Sequence, residues 1–133
     1  MMTGFDPVEL SAKALAVAAP LACSDECTAG GVGAAALSET GEVFTGICID
    51  ARCGLGCCAE YAAIAEMLKR RLTHIVAIVA VSSSGAIIPP CGRCRELIRQ
   101  VDPANWETMV VVEANDIVRL ADLLPHAEPV RKA

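Results

Sequence analysis

Aromatic residues are scarce: Phe, Trp and Tyr make up 3% of the 133 residues. The core must therefore be built from Ala, Val, Ile and Leu. A basic excess is also missing. Eleven Lys and Arg face 16 Asp and Glu, for a formal net charge of −5. A protein that grips nucleic acid through its phosphates needs a basic face, so this balance argues against that class. An acidic excess of this size serves solubility. No apolar run reaches the roughly 18 residues of a membrane span. The most apolar stretch, 75–81, has the length of one buried strand. The first residues, Met1-Met2-Thr3-Gly4-Phe5-Asp6-Pro7, lack the basic-then-apolar order of a signal peptide.

Cysteine, by contrast, is abundant, with eight in the chain. In a small secreted protein that number suggests a disulfide framework. Here 54% of residues are hydrophobic, enough for a core without staples in one domain, 1–133. The cysteines also cluster, as Cys57-Cys58 and Cys91-x-x-Cys94, which suits a metal better than bridges. The chain reads as a cytoplasmic protein of a reducing compartment.

Asp6-Pro7-Val8-Glu9 carries the signals of a helix start, and that helix ends before Pro20. Residues 21–30 read as a loop holding Cys23, Asp25, Glu26 and Cys27. Segments 31–38 and 43–49 read as a hairpin around Glu39-Thr40-Gly41-Glu42. A glycine-bearing loop over 53–57 leads into a helix over 58–72. In that helix Tyr61, Ile64, Ala65, Leu68 and Leu72 recur at helical spacing. Then follow a buried strand over 74–81, a helix over 91–101, a strand over 108–114, and a short edge strand over 117–120 with a helical turn after it. Strands alternating with helices imply an α/β, three-layer fold with a mixed central sheet of about five strands flanked by helices.

Two segments carry chemistry: Cys58-Ala59-Glu60 and Pro90-Cys91-Gly92-Arg93-Cys94. Three thiolates can hold Zn²⁺ and leave its fourth tetrahedral position to water. A carboxylate beside that water can shuttle protons. Cys58 opens one helix, while Cys91 and Cys94 open another. Two positive helix ends therefore favour thiolate over thiol. On an ideal helix Cys58 and Glu60 lie about 200° apart, so they share a site only at the helix mouth. The Cys-x-Glu…Pro-Cys-x-x-Cys pattern is the signature of zinc deaminases.

Other readings accompany this one. Cys57 is a rival to Cys58, but only Cys58 has the one-residue spacing to Glu60. Cys48 and Cys53 read as small buried hydrophobes. Cys23 and Cys27 read as ordinary thiols, with a second metal pair or a redox pair as alternatives. Gly54-Leu55-Gly56 lacks the lysine of a phosphate loop. Neither His74 nor His126 is spaced as a ligand. The alternative function is a non-catalytic zinc-stabilised or thiol-redox protein, in which Glu60 has no necessary part.

Through these motifs the chain resembles the cytidine deaminase superfamily, and is similar to the short tetrameric cytidine deaminases and to blasticidin-S deaminase. Val32-Gly33-Ala34-Ala35-Ala36-Leu37, Phe44-Thr45-Gly46 and Leu123-Leu124-Pro125 resemble further family segments. The resemblance implies zinc on Cys58, Cys91 and Cys94, with Glu60 as general acid/base. It places Ala59 and Pro90 beside the substrate. It also implies a homotetramer (or dimer) acting on a small-molecule amino-heterocycle or nucleoside, with no nucleic acid and no membrane as partner. Cytidine deaminases carry Asn-Val-Glu-Asn where this chain has Ile47-Cys48-Ile49-Asp50. Ile47, Ile49 and Asp50 are thus the expected substrate contacts, and the only polar one is Asp50. A pocket made to bond a sugar hydroxyl should not tolerate two isoleucines cheaply. The family's stacking aromatics fall near Gly30 and Glu128. Tyr61 stands where many cytidine deaminases have arginine. Pro-Cys-Gly-Arg-Cys-Arg is closer to blasticidin-S deaminase.

Overall fold

The computed structural model describes residues 4–128, so 1–3 of the N-terminal reading and 129–133 lie outside it. Helix α1 (Pro7–Val17) starts where Asp6 accepts the N–H groups of Val8 at 2.9 Å and Glu9 at 3.4 Å. It buries Leu10 and Ala14 against Ala35, Ala77 and Val79 of the sheet. The helix lies so close that a Cβ on Gly33 would stand 2.2 Å from the Ala14 carbonyl oxygen.

The sheet has six strands: β1 (Leu21–Ser24), β2 (Cys27–Ser38), β3 (Val43–Ala51), β4 (Ile75–Ser82), β5 (Met109–Glu113) and β6 (Asp116–Arg119). β2 is its spine. It pairs antiparallel with β3 along one edge, and with β1 and β4 along the other. β4 pairs parallel with β5, and β5 antiparallel with β6, so the sheet is mixed as expected. The expected loop over 21–30 is instead β1 and the start of β2. β1 is exposed at all four residues and carries no apolar alternation. The start of β2 is held by pairing, Thr28 to Asp50 and Ala29 to Ile49, and not by a hydrophobic pattern.

Neighbouring residues of β2 face opposite layers. Ala35 points to α1, while Ala34 and Ala36 pack with the second core under α2 (Ala59–Lys69) and α3 (Gly92–Val101). That core holds Ala63, Ile64, Met67, Ile78 and Ile98. The buried stripe of α2 is thus Ala59, Glu60, Ala63, Ile64 and Met67, and not a stripe through Tyr61 and Ala65, which are exposed. The cause is the contact with β3 at Gly46. A Cβ there would meet the Ala63 nitrogen at 2.3 Å and the Ala59 oxygen at 2.7 Å. A buried clasp closes the far end. Asn105 Oδ1 accepts from Ile75 N–H at 2.8 Å, and its Nδ2 donates to the carbonyls of Ile98 and Thr73.

Overpacking of this kind costs about 1–3 kcal/mol. Gly46→Ala is expected to lower the stability of the fold by about that amount, read as a lower urea midpoint. An unchanged midpoint would show that β3 and α2 can part freely.

Candidate active site

Two backbone arrangements bring the site together. Cys57 is stitched to β3 through Ile49, its N–H donating at 3.0 Å and its carbonyl accepting at 2.9 Å. That fixes the turn from which Cys58 emerges as the N-cap of α2. Ile88 N–H donates to the Ala80 carbonyl at 2.9 Å, and Arg95 Nε donates to the Pro90 carbonyl at 2.8 Å. These bonds deliver Cys91 as the N-cap of α3, with Cys94 buried in its first turn. Cys58 does not use its side chain to cap α2, and its sulfur is left to face that of Cys91.

The sulfurs of Cys58, Cys91 and Cys94 all lie within 4.8 Å of one another, and Cys58 Sγ is 3.3 Å from Cys91 Sγ. Sulfurs sharing one tetrahedral zinc at about 2.3 Å stand roughly 3.8 Å apart, so the cluster has the right span. Cys57 is not part of it.

The protonation of the cluster points to a cation. Burial pushes the Cys58 thiol up to about 11, aided by its hydrogen bond to Cys91 and by the Cys91 and Glu60 charges. Burial, with repulsion from Glu60, Cys58 and Cys91, drives Cys94 far above the ordinary thiol range. Burial acts on Cys91 in the same sense. There the N–H groups of Cys94 and Arg93 and the neighbouring thiols outweigh it and hold the group below its usual value. By itself the cluster keeps protons on Cys58 and Cys94, and a divalent cation offsets the charge of losing them. The donor set fits zinc. Glu60 is 5% exposed, and burial raises its carboxyl, with partial relief from its own backbone N–H.

A cleft of about 620 Å³ opens onto this cluster. Cys58, Glu60, Cys91, Ala59, Ile49 and Asp50 all border it, whereas Ile47 and Pro90 do not. Ile47 pairs with Gly33 in the ladder, and Pro90 is buried beside a crevice behind Glu60. The cleft also includes Val32, Cys48 and Ile88, which were not expected there, and Arg93. Cys48 accepts the Val32 N–H at 3.3 Å and donates to Asp50 Oδ2 at 3.7 Å. Arg93 lies 5.0 Å from the centre of the Tyr61 ring. Arg93 stands inside the Cys-x-x-Cys motif, in a first helical turn where the dipole disfavours a cation unless it faces the thiolates. The approach of Val32 depends on a register shift between Ala29 and Gly33, which a residue pattern does not reveal.

A mixed sheet that aims two helix N-termini, three thiols and a buried carboxylate at one cleft defines the zinc-dependent hydrolytic deaminases as a class. The comparisons agree. The model of the cytidine and deoxycytidylate deaminase zinc-binding region matches residues 8–113. A cytidine deaminase of Halalkalibacterium halodurans is 34% identical over 99 residues, covering 72% of this chain and 75% of that protein. A blasticidin-S deaminase of Bacillus cereus is 34% identical over 93 residues, covering 63% and 64%. The crystal structure of cytidine deaminase from Mycobacterium tuberculosis superposes with a TM-score of 0.77 at 31% identity, covering 92% of this chain and 97% of that one. The chain belongs to the cytidine and deoxycytidylate deaminase family, and zinc is its cofactor.

A cation taken up by the three sulfurs displaces the protons of Cys58 and Cys94. Zinc affinity is therefore expected to fall as pH falls, by at least about a hundredfold per unit near neutrality from these two protons. Competition with a chromogenic chelator at pH 6.5 and 7.5 checks this, and a pH-independent affinity would separate the thiols from the metal.

Proposed function

We propose that the protein hydrolyses the amine from an amino-substituted pyrimidine or related heterocycle, releasing ammonia, with Glu60 as the proton carrier and Cys58, Cys91 and Cys94 as the zinc ligands. The observation that carries this reading is the position of Glu60. It is a buried carboxylate at the mouth of α2 that borders both the cleft and the crevice behind it. A structural zinc site has no use for such a group.

Zinc supplies the Lewis acidity that makes water a nucleophile at neutral pH. The chain's residues do the rest. Glu60 takes a proton from the attacking water and gives it to the ring nitrogen. It then passes the second proton to the departing amine, so that water and the amino compound become a carbonyl compound and ammonia. Burial raises the affinity of Glu60 for a proton, which suits a group that must both take and give one. The positive ends of α2 and α3 favour the thiolate charge.

The substrate class follows the family's named members, cytidine deaminases and a blasticidin-S deaminase. Ala59, Ile49 and Asp50 border the space it would fill. Asp50 suits an amine or hydroxyl of the ligand, while Ile49 offers no hydrogen bond at all. Pro90 backs Glu60, and Ile47 serves β3 rather than the substrate. We assign residues 1–133 to one deaminase domain that works as a cytoplasmic homotetramer or dimer. Exposed Ile49, Leu55, Tyr61 and Ile88 support association, and eight unpaired cysteines support a reducing compartment. Among the described residues, no helix is long and apolar enough to cross a membrane.

The test is ammonia release by the zinc-loaded protein with cytidine, deoxycytidine, blasticidin S and free aminopyrimidines. Glu60→Gln is expected to keep its zinc and lose turnover by about 10²–10⁴-fold or more. Near-native turnover in that variant would sink the role of Glu60. Zinc content checks the ligands: Cys58→Ser is expected to lose the metal, and Cys57→Ser to keep it.

A further inference from the structure

Five cysteines lie outside the zinc cluster, and two of them face each other. β1 and β2 are joined through Asp25 and Glu26 alone. The register runs from Ala22 opposite Thr28 to Ser24 opposite Cys27, with an irregularity between them that falls on Cys23. Cys23 and Ser24 thus both oppose Cys27, as two residues oppose one at a bulge. Opposed residues of an antiparallel pair have Cβ atoms about 4.5–5.5 Å apart, close to the roughly 3.5–4.5 Å of a disulfide. The Cys27 thiol donates to the Thr28 carbonyl at 3.8 Å and feels the charge of Cys23 beside it. Cys23 is exposed and Cys27 partly so. The turn between them is held by Ser24 Oγ, which accepts the Glu26 N–H at 3.1 Å. Neither sulfur belongs to the metal cluster.

We propose that Cys23 and Cys27 form a second chemical site, a dithiol that reacts with a small-molecule disulfide and closes reversibly to an intramolecular bridge. The exposed Cys23 thiolate attacks one sulfur of the oxidant. Its S–S bond breaks, one thiol leaves, and Cys23 carries the mixed disulfide. The Cys27 thiolate then attacks the Cys23 sulfur and expels the second thiol. The two protein protons leave with the two product thiols. The protein dithiol loses two electrons and the oxidant gains them. Cys23 is the more exposed sulfur and is the attacking group, while Cys27, whose thiol burial and the neighbouring Cys23 and Asp50 hold above its ordinary range, is the resolving one. The site also adjoins the cleft, since Cys27 pairs with Ala51 and Thr28 with Asp50.

The natural competitor is Cys53. It is exposed, and its neighbour Arg52 reaches Glu26 at the hairpin tip at 3.9 Å. The experiment treats the zinc-loaded full chain with glutathione disulfide, alkylates the remaining thiols, cleaves after Glu26 and reads the peptides by mass spectrometry. The expected result is one linked pair, Cys23 to Cys27. Two alkylatable thiols are lost, zinc content is unchanged, and a reductant restores the starting state. Cys27→Ser is expected to stop at a glutathione adduct on Cys23, and Cys23→Ser to show neither. A lasting adduct on Cys23 in the unsubstituted chain, a link to Cys53 instead, loss of zinc on closure, or no reaction would each overturn the proposal.

Discussion

Three sulfurs cannot be held within 4.8 Å in a partly buried cleft, all of them ionised, unless something offsets their charge. That constraint organises the molecule. It accounts for two helices beginning at the same point, since each brings a positive end. It also demands stiff supports, because mutually repelling groups drift apart when their backbones can move. The ladder bonds of Cys57 to Ile49 and of Ile88 to Ala80 are those supports, and both attach to the central sheet. Glu60 adds a fourth negative group to the same space. It can be tolerated there because its pKa rises with burial, and a cation held by the sulfurs would favour it further.

What the residues alone disclosed was the chemistry. The spacing of Cys58, Glu60, Cys91 and Cys94 and the helix starts on which they sit were legible, because capping rules and metal geometry act over a few residues. The α/β layering was legible for the same reason. The sixth strand was not. β1 is exposed throughout, and the beginning of β2 is extended only because β3 lies beside it. The face of α2 was not legible either. Tyr61 and Ala65 fit a helical repeat, but the tight approach at Gly46 turns the stripe toward Ala59 and Ala63. Both failures concern contacts between segments distant in sequence, which no local pattern records.

The cysteines show how one residue type takes different roles according to place. Cys94 is buried in a helix beside two other sulfurs. Cys48 is nearly as buried, but it bonds a backbone N–H and a carboxylate, and so joins the bulge of β2 to Asp50 in the cleft wall. Cys57 pairs its backbone with Ile49 and borders the cleft without joining the sulfur cluster. The surroundings of each sulfur, more than their number, decide what it does.

The metal cluster also ties together distant parts of the chain. Cys58 and Cys91 are 33 residues apart, and between them lie α2, β4 and the turn that follows. A tether between such points removes loop-closure entropy from the unfolded chain, about 3–4 kcal/mol in the chain-entropy picture of a cross-link. The parallel contact of β4 with β5 spans Ala77 to Met109 and Ile78 to Val110, and the Asn105 clasp adds to it at the start of β4. An ion held by these three sulfurs would act as a staple as well as a reagent, and endurance and activity would then depend on the same three bonds.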